Sequence, residues 1–171
     1  MEEKRLAEQA VKGNQEAFCE LYDLYKDRLF RYAFYRLGDA ASAEDAVSDS
    51  VLDAWKSIGA LRNPRAFSPW IFRILNVKCS KQLQRMISEK ENLARYYRER
   101  NQTLPDSSLA LELTEALGIL AEDEREIVLL SVVAGLKSRE IASVFECSSG
   151  TVRSKLSRSL LKMRKYLEMQ S

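Results

Sequence analysis

The sequence contains no histidine and only three cysteines among its 171 residues. Cys19, Cys79 and Cys147 are odd in number, widely separated and free of any C-x-x-C pair, which argues against a zinc site or a disulfide framework. Free thiols, buried or half-buried, are the expectation. Without histidine there is no imidazole base, so Ser-His and Cys-His nucleophile chemistry is excluded. The acids form no recognisable metal cluster, so a nuclease or other enzyme on nucleic acid has little support. No metal, no cofactor and no catalysis are expected. Glycine and proline are scarce too, at six and three residues, which removes the punctuation that many short strands need. No stretch approaches the roughly 18 apolar residues of a membrane span. The opening Met1-Glu2-Glu3-Lys4-Arg5 leads into an amphipathic pattern rather than a signal sequence, so a soluble cytoplasmic protein is expected.

What is present is a helical pattern with alternating charge. With 46% apolar and 30% charged residues the chain can bury a core, and it reads as all-α. The net charge of +2 conceals four segments. Residues 1–60 hold 8 basic and 12 acidic side chains, 61–100 hold 10 and 3, 101–146 hold 3 and 9, and 147–171 hold 6 and 1. Two separated basic segments, each joined to an acidic one, point to two polyanion contacts and to acidic surfaces for a further partner.

Apolar spacing places a short helix around Leu6, Ala10 and Val11, and a second from about Gln15 to Leu37. Gly13-Asn14 separates them and Gly38-Asp39 stops the second. Ser42-Ala43-Glu44-Asp45 resembles a capping box for a third helix ending near Ser57. Ser68-Pro69 reads as the start of a fourth, with Trp70 assigned to the core. Around Thr103-Leu104-Pro105-Asp106-Ser107 the pattern breaks, giving two domains, 1–88 and 109–171, joined by a linker over 89–108. The second domain should hold four helices. Its last two, about Arg139 to Phe145 and Gly150 to Leu167, are separated by a turn of helix-turn-helix length.

The final helix has two unlike faces. Val152, Leu156, Leu160, Met163 and Leu167 form the expected buried stripe, while Arg153, Ser154, Ser157 and Arg158 lie together on another face. A helix fits the major groove and reads bases from its N-terminal half, where Arg153 and Arg158 can offer bidentate donors to guanine. Thr151, Lys155 and Lys162 suit phosphate oxygens, as do Lys137 and Arg139 on the supporting helix.

Gly135-Leu-Lys-Ser-Arg-Glu-Ile-Ala and Gly150-Thr-Val-Arg-Ser-Lys-Leu-Ser-Arg-Ser resemble region 4 of extracytoplasmic-function sigma factors. Upstream, Glu16-Ala-Phe-Cys-Glu-Leu-Tyr-Asp-Leu-Tyr, Ala43-Glu-Asp-Ala-Val-Ser-Asp-Ser-Val-Leu and Trp70-Ile-Phe-Arg-Ile resemble the successive helices of sigma region 2. The resemblance implies a factor that binds bacterial core RNA polymerase and promoter DNA, with an anti-sigma protein as a further candidate partner. It implies that Glu44, Asp45, Asp49 and Asp53 meet the polymerase clamp. It implies −10 contacts from Arg62, Asn63 and Arg65 in the loop, and from Arg73, Asn76, Lys78 and Lys81 on the helix that follows, with −35 contacts from the second domain. The chain departs from the family pattern at Ser48, Leu75, Val77 and Lys81. The competing reading is a helix-turn-helix regulator that binds DNA by itself and recruits no polymerase.

Overall fold

The computed structural model describes residues 1–89 and 108–171; nearly all of the expected linker lies outside them. Eight α-helices and two short 3-10 turns make up the described residues, with no strand among them. Helices α1 (Glu2–Val11), α2 (Gln15–Leu37), α3 (Ala40–Ser57) and α4 (Phe67–Glu89) form the first group. Helices α5 (Ser108–Gly118), α6 (Glu122–Val132), α7 (Ser138–Phe145) and α8 (Ser149–Gln170) form the second.

The helix ends follow from local chemistry. Asn14 Oδ1 accepts a hydrogen bond from the Ala17 N–H at 3.0 Å, capping α2. Gly38 closes α2 at φ +73°, a left-handed conformation that a side chain disfavours, and its N–H reaches Phe34 O at 2.7 Å. The next residue then caps α3. Asp39, not Ser42, is the N-cap: its carboxylate accepts from Ser42 N at 2.9 Å and from the Ser42 hydroxyl at 2.6 Å. Helix α3 therefore starts earlier than the Ser42 signature implies, because Asp39 stands extended directly after the glycine and reaches the free amides first. Helix α4 grows out of the 3-10 turn Pro64–Ala66, so Pro69 falls inside the first turn, where its missing donor has no intrahelical acceptor to lose.

The first core is aromatic. Phe72 is wholly buried, with its ring edge-on to Tyr32 at 5.9 Å and tilted against Tyr25 at 6.3 Å. Trp70 is half-buried and packs 5.8 Å from Phe67, while Trp55 lies 5.1 Å from Phe18. In the second group, buried Arg125 donates from Nε to Leu117 O and from Nη2 to Leu120 O, both at 3.0 Å. One side chain thus ties a carbonyl in the last turn of α5 to one in the turn that follows it. The buried stripe of α8 is Val152, Ser159 and Met163, flanked by half-buried Leu156, Tyr166 and Leu167. Leu160, expected on that stripe, is 41% exposed. Ser159 takes the inner position because its hydroxyl donates to Lys155 O at 2.7 Å and so carries no unmet polar group inward.

The two groups pack on each other, α6 against α2 and α7 against α4. Their junction is polar at its centre. Arg36 of α2 is 1% exposed and pairs with Glu122 at 3.1 Å and Glu126 at 2.9 Å, both on α6. It also donates to Asn76 Oδ1 at 3.2 Å and Ser80 Oγ at 3.0 Å on α4.

Truncation of Phe72 to Ala should destabilise the chain by about 3–5 kcal/mol in urea unfolding, with little change in helicity at zero denaturant. Thiol titration gives a second check, because Cys19 and Cys147 are exposed while burial pushes the Cys79 thiol up to about 12. Two thiols should react in the native chain and all three in denaturant.

Candidate nucleic-acid interface

The turn before α8 is built to present that helix. Glu146 ends α7 in a left-handed conformation at φ +54°, and Ser148 caps α8 by accepting from Thr151 N at 3.1 Å. The Ser148 and Thr151 hydroxyls share a further hydrogen bond of 2.8 Å. At the other end of the motif, the Glu140 carboxylate accepts from Lys137 N at 2.7 Å and fixes the first turn of α7. Gly135, at φ +73°, lets the chain reverse between α6 and α7.

Thr151, Arg153, Ser154, Ser157 and Arg158 are all exposed, on the side of α8 away from its buried stripe. The two guanidiniums have only weak bonds to their own helix, Arg153 to Ser149 Oγ and Arg158 to Ser154 O, both at 3.3 Å. They remain available to an acceptor in a groove. Lys155 and Lys162 are differently placed: Lys155 is ion-paired with Asp123, and Lys162 meets Glu124 at 2.7 Å. The Lys155 ammonium holds the Asp123 carboxyl below the usual carboxylate range, and Asp123 lifts Lys155 in return. Both lysines therefore brace α8 against the first turn of α6. Lys137 and Arg139 are exposed on the supporting helix.

In the first group, Glu44, Asp45 and Asp49 are exposed along one side of α3. Asp53 is set apart from them, paired with Lys78 of α4 at 2.7 Å. That hydrogen bond draws the Asp53 carboxyl down and raises Lys78. Beside the pair runs a groove of about 450 Å³ between α3 and α4, floored by Ile74 and Val77 and edged by Lys56, Arg73, Lys78 and Lys81. Lys56 was absent from the candidates, although its place one helical turn after Asp53 puts it on the same edge. Arg62, Asn63 and Arg65 are exposed on the preceding loop, where Asn63 Oδ1 accepts from Arg65 N at 3.1 Å.

Arg73 and Asn76 are engaged by other parts of the chain. Arg73 pairs with Glu146 of the helix-turn-helix turn at 2.5 Å. Asn76 is buried, and its carboxamide oxygen accepts from the Tyr32 hydroxyl at 2.5 Å and from Arg36. Sequence reasoning passed over Arg36 itself. The signal was its place on the apolar stripe of α2, seven residues after Leu29, with Tyr32 and Ala33 between. An arginine at such a position is buried only with partners. Among the described residues no group of three or more acids and cysteines could hold a metal ion.

Comparison with known families places both halves. Residues 21–86 match the model of sigma-70 region 2, and residues 110–163 match that of sigma-70 region 4. The chain is 27% identical to the ECF RNA polymerase sigma factor SigW of Bacillus subtilis over 96% of both chains. It is 30% identical to the ECF RNA polymerase sigma factor BldN of Streptomyces coelicolor over 86% of this chain and 59% of that protein. Among solved structures, CnrH in complex with the cytosolic domain of CnrY superposes over the whole of both chains with a TM-score of 0.78 at 25% identity. The sigma factor RpoE bound to the anti-sigma factor NepR from Bartonella quintana shares the fold, with a TM-score of 0.67 at 22% identity. Two regions of one family, matched in order on the two helical groups, show that the chain belongs to the sigma-70 family, among its extracytoplasmic-function members.

Proposed function

We propose that the chain is the promoter-recognition subunit of a bacterial RNA polymerase, acting without catalysis of its own. Domain 1–88 binds core polymerase and the −10 element, and domain 109–171 binds the −35 element. The observation that carries this reading is the exposed Arg153, Ser154, Ser157 and Arg158 face in the N-terminal half of α8, on a helix whose opposite side is locked by Val152, Ser159 and Met163. A rigid helix presenting two unburied guanidiniums side by side is suited to guanine edges in the major groove. Thr151, Lys137 and Arg139 serve phosphates around it. The exposed acids Glu44, Asp45 and Asp49 of α3 suit a basic surface on the polymerase, with Asp53 at their edge.

The −10 site on this reading is the loop from Arg62 to Arg65 together with the basic groove of Arg73, Lys78 and Lys81. Opening a base pair and extruding a base costs a few kcal/mol, which cationic contacts to the separated strand offset. The apolar floor of Ile74 and Val77 gives a base a surface to pack on. Tethering makes two weak contacts act as one, because occupying the first raises the effective concentration of the second. No helix among the described residues is long and apolar enough to cross a membrane, and the cytoplasm is where its partners lie. An anti-sigma protein that covers these same surfaces is a further expected partner; of the two superposed structures, one holds CnrH with the cytosolic domain of CnrY and the other a sigma factor with an anti-sigma factor.

Transcription in vitro with purified bacterial core polymerase tests the reading. Promoter-dependent RNA synthesis is expected; tight duplex binding with no association with core would establish the autonomous regulator instead. Arg153→Ala or Arg158→Ala should weaken a guanine-bearing −35 duplex by about 1–3 kcal/mol, and an equal loss on every sequence would reduce that arginine to a phosphate contact. Asp49→Arg should weaken co-elution with core polymerase while the circular dichroism spectrum stays unchanged. Asp123→Asn frees Lys155, so the slope of log affinity on log salt should steepen by about 0.9 if the lysine then reaches a phosphate.

A further inference from the structure

We infer that Asp53 is the internal counter-anion of the groove between α3 and α4: its carboxylate holds Lys78 where a strand phosphate would bind, and a single strand entering the groove must displace it. The inference rests on the promoter reading given above, and it makes Asp53 a positioning residue of the strand site rather than an edge member of the α3 acids. Asp53 meets Lys78 at 2.7 Å, and both line the groove. Lys56, Arg73 and Lys81 complete the cationic edge. Among the described residues that line it, Asp53 is the one acid beside four cations.

The pair is not needed to fasten the two helices. Helix α3 packs along α4, with Val47 and Ala54 of the one and Leu75 and Cys79 of the other buried in the common core. Asp53 and Lys78 are instead half open to water, where an ion pair adds little to stability. Their placement follows the groove. The hydrogen bond from Lys78, and then the fields of Lys78, Lys56 and Lys81, hold the Asp53 carboxyl below its ordinary range, so it stays ionised wherever the groove is cationic. Glu146, which pairs with Arg73, comes from the second helical group, whereas Asp53 belongs to the same group as its cation.

The exchange changes what a strand gains on entry. A free lysine that meets a phosphate releases a counterion from the strand, which is the source of the salt dependence of nucleic-acid binding. A lysine that must first leave a carboxylate trades one charge-assisted hydrogen bond for another and gains little. Asp53 also sets a fixed negative charge beside the entering backbone. The apolar floor of Ile74 and Val77 is untouched by either effect, so capture depends more on the packing of bases and less on backbone charge.

Fluorescence anisotropy of a labelled single-stranded oligothymidylate of about twelve nucleotides, titrated with the full-length chain at several salt concentrations, tests the exchange. Asp53→Asn should tighten capture about fivefold at about 0.1 M salt and steepen the slope of log affinity on log salt by about 0.7, the share of one phosphate contact to a single strand. Asp53→Glu keeps the charge and should stay near wild type in both. In a Lys78→Met background, Asp53→Asn should no longer steepen the slope, because no cation is left to free. Unchanged or weaker capture by Asp53→Asn, or an equal steepening without Lys78, overturns the inference. A lowered urea midpoint with no change in slope marks the pair as a fastening between helices and overturns it too. Should none of these chains capture the strand, the inference falls, and the transcription assay with core polymerase reports separately on whether the chain reads promoters at all.

Discussion

A guanidinium withdrawn from water must be met by acceptors, and Arg36 finds its own on two helices. Asn76 and Ser80 come from α4, and Glu122 and Glu126 from α6. No single helical group supplies the set. The first group alone would leave a charge near the end of α2 with two neutral acceptors, a costly arrangement in a poorly hydrated place. The second alone would leave Glu126 without its cation, and burial already pushes that carboxyl up against the pull of Arg36. The relative placement of the two halves therefore depends on a charge that neither half neutralises by itself.

The acidic first turn of α6 is shared among several cations. Glu122 meets Arg36 and Arg125, Asp123 meets Lys155, and Glu124 meets Lys162. Three consecutive acids thus attach one helix to α2 and to α8. Their position at a helix N-terminus is itself favourable, since carboxylates there face the positive end of the helix dipole. The consequence for α8 is a division of its basic residues. Lys155 and Lys162 are internally compensated, whereas Arg153 and Arg158, with no acid bound among the described residues, carry the positive face outward.

Local signals were legible where the physics is local. The all-α class, the ends of α2 at Asn14 and Gly38, and the helix-turn-helix order of the second half follow from spacing and capping alone. Ser42 misled because it stands three residues from a stronger cap; both are good cap residues, and only the extended backbone at Asp39 decides between them. Leu160 misled because a purely apolar stripe ignores that serine can be buried cheaply. Ser159 and Ser50 each donate to the carbonyl four residues back, at 2.7 Å, and both lie on inner faces. Arg36, Arg73 and Asn76 were beyond local reasoning for a different reason. Their partners lie 40 to 90 residues away in sequence, and nothing in the pattern of α2 or α4 says which distant side chains will arrive.

The polar character of the junction also bears on why such a chain would keep a charged contact where apolar packing is available. An apolar junction of the same extent would behave like a permanent core, since the hydrophobic effect is non-directional and has no single point of release. A junction centred on Arg36 has low net strength and high geometric specificity, and its key is charge. The exposed acids of α3 and the guanidiniums of α8 answer to charge as well, so a strong local potential acts on the junction and on those side chains through the same physics.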